Sequence, residues 1–284
     1  MNKLTPQKKR KINACVRGGI QLLFFAFMPS AFTTAFAGVK YIFTQVGKSE
    51  TIEFNSFVKI LAVLLVYTIV FGRFFCGYAC AFGSLGDAIR AIYIKACGKL
   101  KKKPFTIDEK IRKVLAYTKY AVLVIILIVS FKGMNSKLKG TSAWDVFSML
   151  RAGNTKIGEY VVGSVALLSI VIGMAVCERF FCRFLCPMGA VFSFMPVFPP
   201  FSLRRKRSEC INGCSGCKRV CPSDIELSDT TSIDISGECF QCGKCVDVCP
   251  KQNIGRTLLP QSFELCFTIV RAVLLAAVLV WAGL

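Results

Sequence analysis

The sequence predicts an α-helical integral membrane protein of about five transmembrane helices, with a small cysteine-rich α+β domain inserted before the last span. Three observations predict it. Of its 284 residues, 54% are hydrophobic, and the mean hydropathy is +0.55, too apolar for an ordinary soluble domain. The apolar residues gather in runs at 18–38, 57–71, 115–131, 160–177 and 263–284. Each approaches or reaches the length that crosses about 30 Å of hydrocarbon. Finally, half of the 16 cysteines fall between Cys210 and Cys249.

The first run follows Lys3, Lys8, Lys9, Arg10, Lys11 and Arg17. It lacks a small-residue cleavage site and more spans follow it, so it reads as a retained span and not a signal peptide. Basic residues cluster again between the second and third runs, among them Arg90, Lys95, Lys101, Lys102 and Arg112, and after the fourth, at Arg204, Arg205, Lys206 and Arg207. The connections at 47–53 and 132–156 are less densely basic. Basic and less basic loops therefore alternate, as the positive-inside rule requires. This predicts a multi-pass protein of the bacterial cytoplasmic membrane, with the N-terminus and the cysteine-rich segment in the cytoplasm and the C-terminus outside. The net charge of +21 is then topological and calls for no nucleic acid. Arg271 lies inside the fifth run, where it is expected to snorkel to the inner interface. The alternative is a counter-charge to a cluster or an anionic ligand.

The membrane part repeats itself. Residues 73–83 read RFFCGYACAFG and residues 179–189 read RFFCRFLCPMG, both of the form RFFC-x3-C-x2-G. Each copy ends an even-numbered span, which predicts a duplicated helical hairpin with its symmetry axis along the membrane normal. In a helix, residues four apart share one face, so Cys76/Cys80 and Cys182/Cys186 are expected to present four thiolates to one site. Such a set suits an additional iron–sulfur or other soft-metal centre. The alternatives are simple burial of small apolar side chains and a reversible dithiol. Segments 85–96 and 190–201 are too short to span and are expected to lie on the inner interface. Cys15, Cys97, Cys177 and Cys266 have no partner at ligand spacing and read as unligated thiols.

The remaining cysteines form two runs, Cys210-x3-Cys214-x2-Cys217-x3-Cys221-Pro222 and Cys239-x2-Cys242-x2-Cys245-x3-Cys249-Pro250. This is the spacing of a two-cluster ferredoxin-like domain, in which the fourth cysteine of each run serves the other cluster. It predicts two [4Fe-4S] clusters, one held by Cys210, Cys214, Cys217 and Cys249, the other by Cys221, Cys239, Cys242 and Cys245. The first gap is one residue longer than the usual run, which makes Cys210 the odd ligand. Zinc uses similar pairs, but two consecutive runs that each end in Cys-Pro are the more specific signal. Disulfides do not suit a reducing cytoplasm. The chain has no histidine, so it cannot itself hold a bis-histidine haem or a His-ligated metal. Gly213, Gly216 and Gly243 permit tight loops and form no dinucleotide fingerprint, so no NAD is expected. No nucleophile, acid/base pair or phosphate loop marks a catalytic residue. The expected divisions are membrane hairpins at 1–109 and 110–203, the ferredoxin-like domain at 204–259 and a last transmembrane helix at 260–284.

Together these motifs resemble the NapH/NosR-type membrane iron–sulfur proteins, the polyferredoxins, over residues 12–254. Cys182, Cys186 and Pro187 match the family's Cys-x3-Cys-Pro motif in full. Cys76 and Cys80 match with Ala81 in place of the proline. NosR-like members carry an outer flavin domain for which the longest outer loop, 132–159, has no room, so the short NapH-like form is the nearer likeness. The resemblance implies an electron-transfer subunit in the lipid bilayer. It would work between the cytoplasm or the quinone pool and a redox partner such as a flavoprotein, a multihaem cytochrome or a reductase. The second reading is a metalloreductase or maturation factor resembling the CcoG/FixG group. The third is a binding module with structural clusters.

Overall fold

The computed structural model describes residues 6–105, 107–134, 141–153, 160–230, 232, 236–259 and 263–284. Lys3, and residues 135–140 and 154–159 of the expected outer loop, lie outside the described residues. The chain is mostly helical. Among the described residues, two helical stretches are long and apolar enough to cross a membrane. One is Glu109–Phe131, built from α5 (Glu109–Leu115) and α6 (Thr118–Phe131). The other is α12 (Glu264–Trp281).

A third span exists only if α1 (Pro6–Phe27) and α2 (Ala31–Lys48) count together. The expected run at 18–38 is therefore not one helix. The last bond of α1 runs from Met28 N–H to Phe24 O, and the next helix begins with Thr34 N–H to Ser30 O. Pro29 between them has no N–H to donate, and it disfavours helix at the residue before it. The second and fourth runs form α3 (Ser56–Phe71) and α8 (Val161–Val176), apolar helices of 16 residues each. At 1.5 Å per residue such a helix covers about 24 Å, short of the hydrocarbon core.

By compactness the chain divides into two units, each assembled from separated segments. The first comprises Met1–Pro29, Ala62–Ser84 and Val191–Leu284. In it α1 packs on α12, on the turn at Phe75–Ala79 and on α11 (Lys244–Val248). Its buried residues include Leu64, Tyr67, Phe74, Phe75, Leu275 and Leu279. The second unit comprises Ser30–Leu61 and Leu85–Ala190. There α2 packs on α6, and α8 on α7 (Ala143–Arg151). Phe36 meets Trp144 edge-on at 5.4 Å and Phe32 meets Phe181 at 6.0 Å. Arg90, on the basic helix α4 (Ala81–Lys99), donates to Ala175 O at 2.6 Å and Val176 O at 2.8 Å. It thereby caps orphan carbonyls at the C-terminus of α8, the end where a cation is favoured.

Candidate iron–sulfur sites

The cysteine-rich segment is closed at its ends by a short antiparallel pair. Strand β1 (Arg204–Arg205) faces β2 (Ile254–Gly255), with Arg204 opposite Gly255. Leu203, Leu227, Val246 and Ile254 form the core beneath it. Two short helices, α10 (Gly216–Arg219) and α11, pack together above. Each carries the third cysteine of its run, Cys217 or Cys245. The fourth, Cys221 or Cys249, falls just beyond the helix, and the proline after it cannot continue the turn. Gly243 at φ 72° makes the bend after Cys242 that an L side chain would resist.

This geometry gathers the cysteines crosswise. Cys210, Cys214, Cys217 and Cys249 line one cavity. Cys221, Cys239, Cys242 and Cys245 line a second, with Cys217 on its wall. Cys217 therefore lines both cavities. The longer first gap is absorbed by a turn closed from Cys214 N–H to Ile211 O, so Cys210 still reaches its cavity. Among the described residues no three acidic or thiol groups converge on a point fit for one metal ion. The thiols instead line the two cavities.

The two sets differ in setting. Cys210 and Cys214 are exposed, whereas Cys245 is buried. Burial pushes the Cys239 thiol up to about 12 and raises that of Cys245 as well. Ligation needs thiolates, so loading this set must expel protons. At the exposed set, Arg205 Nη1 lies 3.5 Å from Cys217 Sγ and Asn253 Nδ2 lies 3.4 Å from Cys210 Sγ. Both can donate to sulfur, an interaction that tunes a cluster's potential.

The repeated membrane motif takes one local shape twice. Phe75–Ala79 and Phe181–Leu185 are π-helical turns, with the four motif cysteines buried. Cys80 N–H donates to Phe75 O at 2.9 Å, and Cys186 N–H to Phe181 O at 2.8 Å. The second cysteine of each pair is extended, with ψ 123° at Cys80 and ψ 114° at Cys186. The expectation of two cysteines on one α-helical face is corrected here, because the turn widens to i→i+5 bonds and then leaves the helix. Such π turns are frequent at functional sites. The next residue opens a new helix, α4 from Ala81 or α9 (Pro187–Ser193). Proline is favoured at a first helical position but not required there, which is why Ala81 can replace it without changing the shape. Cys186 Sγ receives the Gly189 N–H at 3.2 Å. Cys76 and Cys80 belong to the first compact unit, Cys182 and Cys186 to the second.

Sequence reasoning quoted the arginine that opens each repeat but assigned it no role. Both arginines are buried, Arg73 paired with Glu238 at 2.6 Å and Arg179 with Asp87 through Nε at 2.9 Å. A buried guanidinium demands a carboxylate, and that demand was the available signal. Glu238 comes from the cysteine-rich segment, so within the first unit Arg73 ties that segment to the π turn. Arg73 also lies over Phe240 at 5.1 Å, and Tyr78 Oη donates to Cys242 O at 3.2 Å. Gly77, in the middle of the turn, meets the Phe240 carbonyl so closely that a Cβ would overlap it. The Cys76–Cys80 turn and the Cys239–Cys242 loop are thus in backbone contact.

Arg271 departs from expectation. It does not snorkel, being 1% exposed. Its guanidinium lies over Phe74 at 4.4 Å and Phe267 at 4.6 Å, and Nη2 reaches Thr268 Oγ1 at 3.3 Å. Nε and Nη1 have no hydrogen-bond partner among the described residues.

The family described as a 4Fe-4S binding domain matches residues 56–104 and 161–206, one match on each copy of the RFFC repeat. An uncharacterized protein of Methanocaldococcus jannaschii is 34% identical over 194 residues, 68% of this chain and 67% of its own. The ferredoxin-type protein NapH of Haemophilus influenzae is 24% identical over 200 residues, 67% of this chain and 64% of its own. The regulatory protein NosR of Stutzerimonas stutzeri is 26% identical over 191 residues, 66% of this chain but 25% of its own. The chain belongs to the NapH/NosR-type family of membrane iron–sulfur proteins. No solved structure matches it. The two matched segments lie on the membrane cysteine motifs and end before the ferredoxin-type runs, which begin at Cys210.

Proposed function

We propose that this NapH/NosR-type protein is a membrane electron-transfer subunit that carries two [4Fe-4S] clusters. Cys210, Cys214, Cys217 and Cys249 would hold one, and Cys221, Cys239, Cys242 and Cys245 the other. When bound, such clusters supply one-electron transfer at potentials set by burial and by hydrogen bonds to sulfur. The residues of the chain do the ordering. Cys210 and Cys214 of one set lie at solvent, Cys245 of the other is buried, and the Cys76–Cys80 turn lies against the Cys239–Cys242 loop. The contact of Gly77 with Phe240 carries this reading, because it brings the turn that bears Cys76 and Cys80 against a ferredoxin-type loop. A further iron–sulfur or soft-metal centre is proposed at the membrane cysteine pairs, Cys76/Cys80 and Cys182/Cys186. The membrane arrangement that fits is five spans, with the N-terminus and the segment 204–259 in the cytoplasm. Partners of this class would be a flavoprotein, a multihaem cytochrome or a reductase, with quinone as a further candidate.

The direct test is the purified full-length protein, handled without oxygen. At least about eight irons per chain are expected, with two reducible cubane signals by electron paramagnetic resonance. Cys242→Ser should remove about four of those irons. Zinc in place of iron, or an unchanged iron content in the variant, would sink the proposal.

A further inference from the structure

We infer that the face around Cys210 and Cys214 is the docking port for an acidic, soluble one-electron carrier. The inference rests on the electron-transfer reading above and adds the partner's chemistry and its place of entry. The two cysteine sets are not equally reachable. Cys210 and Cys214 are exposed, while Cys239, Cys242 and Cys221 are half-buried and Cys245 is buried. The loop at 239–242 is further covered by the π turn, through Gly77 and Tyr78. A protein carrier that must approach a redox centre closely therefore meets the Cys210–Cys214 edge first.

The surroundings of that edge specify the partner. Ile211, between the two cysteines, is 47% exposed and offers a small apolar centre. Arg205 and Lys251 line the same cavity as Ile211, and the segment carrying the two cysteines also exposes Lys206, Arg207 and Arg219. Glu209 and Glu226 are exposed in the same segment and bridge to Lys206 and Arg207, and Asp224 is half-buried. Basic side chains outnumber acidic ones along this segment, and they also offset the negative charge a thiolate-ligated cluster would bring. An apolar centre with a charged rim is the anatomy of a protein interface, and weak electron-transfer encounters use small ones. A positive rim steers an acidic partner into place and disfavours a basic one. Positive charge near a membrane could instead serve anionic lipid. Lipid headgroups, however, would gain nothing from an exposed apolar residue between two exposed cluster cysteines. The transfer itself moves one electron from the reduced carrier, which is oxidised, to the cluster ligated at Cys210, Cys214, Cys217 and Cys249, which is reduced, with no bond made or broken.

The test uses the iron-loaded full-length protein in detergent and a reduced, acidic plant-type [2Fe–2S] ferredoxin as probe. Methyl viologen radical serves as a small reductant that needs no docking. Ferredoxin should reduce the protein with a rate that falls at least about 10-fold as salt rises. Arg207→Glu combined with Arg219→Glu should lower the low-salt rate by a similar ~10-fold factor, with iron content and viologen reduction unchanged. A ferredoxin rate indifferent to both salt and charge reversal would overturn the docking port while leaving the electron-transfer reading intact. So would charge reversals that weaken binding to vesicles of anionic phospholipid yet leave the ferredoxin rate alone, since that result assigns the face to lipid. If viologen fails to reduce any cluster, the electron-transfer reading falls and takes the docking port with it.

Discussion

Gly77 and Arg183 hold the same place in the two copies of the RFFC repeat. The π turn itself accepts either residue, since it forms around both. What demands glycine at 77 is the Phe240 carbonyl against it. Gly77→Val should therefore lower the stability of the first unit by about 1–3 kcal/mol, the usual cost of overpacking, seen as a reduced melting temperature in detergent. An unchanged melting temperature would mean that the contact is loose. Arg271 poses the opposite problem, a buried cation with two nitrogens unsatisfied. Replacing such a group with an apolar one of similar size is often neutral or stabilising by about 1–4 kcal/mol. Arg271→Leu is thus expected to leave the melting temperature equal or higher. It should also lower the reduction potential of the nearest anionic centre, because a cation favours the reduced, more negative state. A potential that does not move, with a loss of stability, would make Arg271 purely structural.

At the scale of elements, the π turn is the recurring part. It buries two cysteines, one inside the turn and one at the start of the next helix, and anchors each copy with a buried arginine–carboxylate pair. The same geometry arises with proline or alanine after the second cysteine, so backbone and not side chain defines the motif. If the turns hold a redox centre, Cys182→Ser should abolish electron transfer to an acceptor enclosed in proteoliposomes. Membrane insertion and the iron bound at the ferredoxin-type cysteines should persist. Plain packing of the cysteines makes a different forecast, retained transfer with a small drop in melting temperature.

At the scale of the molecule, charge distribution argues for a cytoplasmic cysteine-rich segment. Reporter fusions after Gly153 and after Ser208 are expected to report opposite sides of the membrane. The same side for both would end the five-span arrangement. Among the described residues α3 and α8 are shorter than a full span and the α1–α2 pair is bent, so the fusions test the sites where these helices meet the bilayer.

Much of this was legible in the sequence because the information is local. Thiolate spacing sets how far one loop can reach, so the gathering of the cysteines into cavities follows from sequence spacing. Apolar runs reveal helices because each residue reports its own burial, and a repeat is visible wherever it lies. Other features needed three dimensions. The break at Met28–Ser30 lies in a mostly apolar run that contains one proline. The π turn replaced the expected helical face, because a pair spaced by four fits several backbone paths and only packing selects among them. The burial of Arg271 overturned the expectation of snorkelling, since hydropathy does not say which neighbour covers a side chain. The contact of Gly77 with Phe240 joins residues more than 160 positions apart. Composition and spacing determined which chemistry this protein can hold. The tertiary structure decided which cysteine set faces solvent and which meets the membrane motif, because exposure and adjacency belong to the packed chain.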